Sequence, residues 1–240
     1  SLTDSQSTMF NVASTQDVIF AHGVAAKYII IDPTDGTVDN DIVVTVKLQD
    51  QYTNTVTTGA DKDKDVTLNA DGAVTNDGLV DISNGVGTLS LNDHVAETVN
   101  LSLTDSQSTM FNVASTQDVI FAHGAMHHFS VTGITDPIVA GTPTSPVVTA
   151  QDQYSNTVTN YANTIHFTSN DIQADLPANY LFVGPDNGVK TFTNGLILKT
   201  AGEKTVTVTQ GAFTGSQTAI TVNPAVIASL DISAAPSSLT

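Results

Sequence analysis

The stretch Asp32-Pro-Thr-Asp35-Gly-Thr-Val-Asp39-Asn-Asp41 sets four carboxylates within ten residues around a glycine. Hard cations such as calcium take about six to eight oxygen ligands from a flexible loop, which makes Asp32, Asp35, Asp39 and Asp41 the candidate calcium ligands and calcium the candidate cofactor. The spacing is not that of an EF-hand, and the closing glutamate is missing. A solvated acidic turn accounts for the same four residues, so both readings stand. Asp61, Asp63 and Asp65 alternate with lysines and read as an exposed, salt-laced loop.

The six histidines are His22, His94, His123, His127, His128 and His166. His127 and His128, as neighbours on a strand, are expected on opposite faces, which argues against joint metal ligation. His22 and His123 read as surface residues in preference to pH-sensitive contacts. No serine or threonine stands in a triad context, no glycine-rich phosphate loop follows a strand, and no histidine pair has zinc-helix spacing. The absence of cysteine excludes thiolate metal sites, cysteine nucleophiles and disulfide staples. Catalytic residues are therefore not expected.

Two further aspartates recur in a fixed setting: Asp50 in QDQYTNTVT and Asp152 in QDQYSNTVT. A carboxylate that ends a strand can accept the backbone N–H two residues on and so fix a turn, while Asn54 and Asn156 tolerate a left-handed backbone. Asp50, Asn54, Asp152 and Asn156 are thus read as structural turn residues.

The elements that position these groups follow from one repeat. SLTDSQSTMFNVASTQDVIFAHG occurs unchanged at Ser1–Gly23 and Ser102–Gly124, 101 residues apart. Identity on that scale marks a tandem array with a unit of about one hundred residues. Residues 24–124 form one complete unit and residues 125–224 a diverged second one. Residues 1–23 supply the last two strands of a preceding unit, and residues 225–240 the first strand of a following one. Strands completed by a neighbour can also pair between chains, and Val18, Ile19, Phe20, Leu230 and Ile232 are the residues placed to do so. Export or anchoring signals are expected outside this stretch.

Within each unit the hydrophobic period is two. Ile42, Val44, Val46 and Leu48 alternate with Val43, Thr45, Lys47 and Gln49, and short strands are expected at Lys27–Ile31, Val66–Leu68, Gly87–Leu91, Val99–Leu103 and Val119–Ala122. Asp71-Gly72, Asp77-Gly78 and Asn84-Gly85 punctuate them. The second unit keeps the register, with Phe129 and Val131 for Tyr28 and Ile30, Val148 and Ala150 for Val46 and Leu48, and Asn187-Gly188 for Asn84-Gly85. With no convincing amphipathic helix, the expected class is all-β, a tandem of immunoglobulin-like β-sandwiches set in an extended rod.

Charge narrows the partners. Twenty-four acids face seven lysines, for a formal net charge of −17, and there is no arginine to grip phosphate. Nucleic acid and anionic membranes are poor partners, and a cation is a better one. No apolar run approaches the roughly 18 residues needed to cross a bilayer.

The run Val-Thr-Val-x-x-x-Asp-x-Tyr-x-Asn at Val44–Asn54, less complete at Val148–Asn156, resembles the signature turn of bacterial immunoglobulin-like domains of invasin-type and other giant repetitive surface adhesins. The second unit resembles these repeats along nearly its whole length, through ITDPIVAGTPTSPVVTAQDQYSN, IHFTSND and LKTAGEKTVTV. The usual glycine before the asparagine is here Thr53 and Ser155. The resemblance implies a non-enzymatic stalk segment of a secreted cell-surface adhesin, with neighbouring repeats as partners and a distal region carrying an unknown ligand. A filament or surface-lattice subunit joined head-to-tail by strand complementation, with calcium as its switch, is the alternative. A carbohydrate-binding sandwich is a third, weaker reading, since the chain has no tryptophan platform.

Overall fold

The computed structural model describes residues 19–226, together with 3 and 5. Residues 27–122 give eight strands: β1 (Lys27–Ile31), β2 (Gly36–Thr37), β3 (Ile42–Gln49), β4 (Val66–Ala70), β5 (Gly78–Val80), β6 (Val86–Leu91), β7 (Glu97–Thr104) and β8 (Gln117–Ala122). β1, β3 and β6 form one sheet in the order β1-β3-β6, and the others run β2-β8-β7-β4-β5. Alternation explains the burial: Ile42, Val44, Val46 and Leu48 all point inward from β3 and are buried, as are Leu68, Val99 and Leu101 of the second sheet.

The next ten strands repeat the plan. They are β9 (His128–Thr132), β10 (Ile138–Val139), β11 (Pro143–Thr144), β12 (Val147–Gln151), β13 (Thr164–Ser169), β14 (Tyr180–Leu181), β15 (Val189–Thr191), β16 (Leu196–Ile197), β17 (Gly202–Gln210) and β18 (Phe213–Asn223). Their orders are β9-β12-β15 and β10-β18-β17-β13-β14, with β11 and β16 forming a small ribbon. In both sandwiches the strand after the first pairs in parallel with the last strand, Gly36 opposite Phe121 and Ile138 opposite Val222. Read as A-B-E against A′-G-F-C-C′, this order is the immunoglobulin-like sandwich, present twice. The core of the second centres on Phe129, Phe167, Phe182, Leu196, Val206 and Ile220.

The short strands are what the sequence hid. β2 has two residues and no readable period, and it runs through the middle of the acidic stretch. Asp77-Gly78, read as a turn, opens the edge strand β5. Ile19 and Phe20 lie in no strand, and Phe20 is 92% exposed, whereas Phe121 at the same place in the repeated stretch is 1% exposed inside β8. Identical residues take the structure that neighbouring strands allow. Val18, Leu230 and Ile232, with most of residues 1–23 and 225–240, lie outside the described residues.

By packing, the chain forms two compact units. One holds Asp41–Asn92 and Thr98–Val119 with the described residues up to Asp35. The other holds the described residues from Ile120 onward together with two short segments from earlier in the sequence, Gly36–Asn40 and Asp93–Glu97. No helix among the described residues is long and apolar enough to cross a membrane.

Candidate functional site

Asp50 follows β3 and Asp152 follows β12, each one step beyond an outward residue, so strand alternation turns both carboxylates inward and buries them. A buried carboxylate costs several kcal/mol unless its oxygens are hydrogen-bonded, and here each has four donors. The backbone N–H groups of Tyr52 and Asn54 donate to Asp50 Oδ1, each at 2.9 Å, and the Asn54 side-chain amide donates to Oδ2 at 3.0 Å. Around Asp152 the N–H groups of Tyr154 and Asn156 and the Asn156 amide do the same, all at 2.9 Å.

The fourth donor comes from far along the chain. Gly23 N–H donates to Asp50 Oδ2 at 2.6 Å, and Gly124 N–H to Asp152 Oδ2 at 2.8 Å. These glycines end the two copies of the repeated stretch, so each turn grips the chain at the same place in the repeated sequence. Sequence reasoning missed this bond, whose only signal was that both glycines stand at the same distance ahead of a new first strand.

Electrostatics follow the donors. The Asn54 amide, then the Gly23 N–H, hold the Asp50 carboxyl down at about 2. Burial pushes Asp152 upward, but the Gly124 N–H and the Asn156 side chain outweigh it and leave the carboxyl below its usual range.

The left-handed residue of each turn is not the asparagine. Thr53 and Ser155 carry it, with φ of 74° and 71°. Asn54 closes the turn through both backbone groups, its N–H to the Asp50 side chain and its C=O to the Asp50 N–H at 3.0 Å, which leaves the reversal to the residue before. The glycine usual at that position in the resembling repeats has a steric reason.

The four acidic-loop residues are not gathered. Because β2 extends the chain between Asp35 and Asp39, the carboxylates turn to separate partners. Asp39 accepts from Ala125 N–H at 2.8 Å and Gln153 Nε2 at 3.2 Å within the second unit, and Asp41 accepts from Asn92 Nδ2 at 2.8 Å. Asp32 and Asp35 are exposed. Among the described residues no group of three or more His, Asp or Glu side chains is placed to hold a metal ion. In the lysine-rich loop Asp63 pairs with Lys62 and accepts from Asn84 N–H, while Asp65 accepts from Ile82 N–H.

The histidines depart from expectation in one respect. His127 precedes β9, so strand alternation does not separate it from His128, and their Nδ1 atoms lie 3.3 Å apart. His22 donates from Nδ1 to Gly23 O at 2.7 Å and accepts the Thr58 N–H at Nε2, 3.1 Å away. His123 makes the same bond to Gly124 O at 2.9 Å.

Two buried aspartates escaped notice in the sequence. Asp171 accepts the N–H groups of Gln173, Lys199 and Thr200, at 3.1, 2.6 and 2.9 Å, and the Thr200 hydroxyl. Burial works against it, yet the Thr200 contacts and the Lys199 N–H bring its carboxyl to about 2. Asp93 is the opposite case. Its Oδ1 accepts Val95 N–H at 2.7 Å, but burial first and then the nearby Glu97 push its carboxyl up.

No protein-family model matches the sequence. No curated protein matches it either. Similar solved structures include FdeC, an adhesin of Escherichia coli, with TM-score 0.47 and 16% identity over 85% of this chain and 67% of that one. Invasin, described as a bacterial integrin-binding protein, gives TM-score 0.35 and 15% identity over 85% of this chain and 40% of its own. The surface layer protein SbsC, domains 4–9, gives 0.33 and 16% over 85% and 31%. The chain spans less than half of the invasin and SbsC chains.

Proposed function

We propose that this chain is a non-enzymatic stalk segment of a large cell-surface adhesin, whose tandem sandwiches extend a distal ligand-binding region from the cell. The observation that carries the reading is the recurrent grip on the repeat end: Gly23 on Asp50 and Gly124 on Asp152. Each grip sits only a few residues ahead of the next first strand, β1 at Lys27 or β9 at His128, a spacing that suits a tandem array with short junctions. The acidity, net −17, suits a self-repelling and soluble stalk.

Light scattering after size exclusion tests the proposal, in calcium and again with a chelator. The expected result is a monomer of 25.0 kDa in both. Polymers in calcium that dissolve on chelation would replace it with a filament or lattice subunit switched by the cation.

A further inference from the structure

The two Asp-x-Tyr-x-Asn turns are built alike, but only one is covered. In the second unit, Gly124, Ala125 and the turn Asp152–Asn156 lie beneath that unit's own segments Gly36–Asn40 and Asp93–Glu97. Asp39 takes the N–H of Ala125 and the amide of Gln153. Its carboxylate crowds Gly124 so closely that a Cβ there would stand 2.4 Å from Oδ1. Asn156 Oδ1 accepts Ala96 N–H and its amide donates to His94 O, each at 2.9 Å. The His94 ring stacks on Tyr154, centroids 4.0 Å apart and planes within 10°.

In the first unit the equivalent groups are Gly23, Val24, Gln51, Tyr52 and Asn54, all of them exposed. Among the described residues nothing accepts from the Val24 N–H or the Gln51 amide. Tyr52 is 72% exposed against 36% for Tyr154. The three atoms nearest a Cβ on Gly23 would all belong to Asp50, from 3.3 Å, so among the described residues nothing stands over it as closely as Asp39 stands over Gly124, its identical counterpart.

We infer that this face of the first unit is a docking surface for the Asp39 and His94 loops of another repeat of the 24–124 type, the one that Ser1–Gly23 would end. The inference rests on the stalk reading. Two observations select that occupant. Ser1–Gly23 is identical to Ser102–Gly124, the end of the 24–124 repeat, and unlike the corresponding end of the second repeat. Moreover, the second repeat lacks both contact groups. The bonds Val38 N–H to Ala122 O and Ala140 N–H to Asn223 O align the two loops, and they put Gly141 where Asp39 stands. Counting back from Val206, the partner of Val99, puts Ala201 where His94 stands. A loop from the second repeat would bring neither the carboxylate nor the ring.

The test extends the chain by placing a copy of residues 24–101 ahead of Ser1, which makes Ser1–Gly23 the end of a whole repeat. Tyrosine nitration by tetranitromethane, mapped by mass spectrometry, reads the surface. Tyr52 is expected to react several-fold more slowly in the extended chain than in the 240-residue chain, approaching Tyr154. Asp39→Ala with His94→Ala in the added copy should restore its reactivity. Undiminished nitration of Tyr52 would overturn the assignment, as would protection that survives both substitutions. Small-angle scattering on the same samples separates the two ideas. Growth in maximum dimension with Tyr52 still reactive overturns the docking surface alone, whereas no growth overturns the stalk.

Discussion

The N–H of Gly124 points at Asp152, 28 positions later, and ends 2.8 Å from its Oδ2. The pair shows how a turn motif can do more than reverse a chain: three donors from Tyr154 and Asn156 set the carboxylate, and the fourth makes it a receptor for the incoming segment.

Removing that receptor strands four donors at once. Asp152→Ala is expected to destabilise the protein by on the order of 3 kcal/mol, since each buried donor left unpaired costs about 1–3 kcal/mol and some will find water. Asp50→Ala should act in the same direction. Urea unfolding followed by circular dichroism measures both; a change within experimental error would show that the turns hold without their aspartates.

Relieving strain should do the reverse. A β-branched Thr53 in the left-handed region costs roughly 1–2 kcal/mol, and glycine returns about 0.5–1 kcal/mol of that as chain entropy in the unfolded state. Thr53→Gly is therefore expected to raise the urea midpoint by a net stabilisation of about 0.5–1 kcal/mol with an unchanged slope, and Ser155→Gly to behave alike.

Glycine is fixed at two other places for the opposite reason. Gly85 and Gly188 take φ of 79° and 75°, and a Cβ on either would approach the carbonyl oxygen of Val56 or Val158 to 2.4 Å. Gly188→Ala should cost on the order of 3 kcal/mol by combining strain with a backbone clash, read as a fall in thermal midpoint.

Acid should loosen the protein in a defined window. The folded-state carboxyls of Asp50 and Asp171 stand at about 2, below their unfolded values. Their contribution is fully present above the ordinary carboxylate range and fades as pH falls through that range towards 2. Asp93 has the opposite sign, because its raised carboxyl gains stability as pH falls through its folded value. Asp93→Asn is expected to raise the thermal midpoint at pH 7, with an advantage that shrinks on acidification. A midpoint rising steadily from pH 6 to pH 2 in the parent chain would contradict this ordering of signs.

What the sequence disclosed, and what it withheld, follows the physics of range. Long strands were legible because Ile42, Val44, Val46 and Leu48 carry a period of two, and the second sandwich was legible because Phe129, Val148 and Asn187-Gly188 keep that register. β2 and β10 were not, since two residues have no period and their pairing depends on distant partners. Asp50 announced its turn through neighbours at fixed spacing, while its bond to Gly23 joins residues 27 apart and has no local signature. The acidic loop has a related limit: the sequence sets Asp32, Asp35, Asp39 and Asp41 close along the chain and gives no sign of the strand β2 between Asp35 and Asp39.

The parallel pairs Gly36–Phe121 and Ile138–Val222 have a mechanical consequence. In each sandwich they tie a strand near the chain's entry to the strand at its exit, side by side and pointing the same way. Tension applied through the two ends pulls these strands in opposite senses along their length, so their hydrogen bonds are loaded in shear and must fail together. Peeling them one at a time would need a pull across the sheet. Load carried through the two ends of either sandwich thus falls on a pair of strands set to shear instead of unzip.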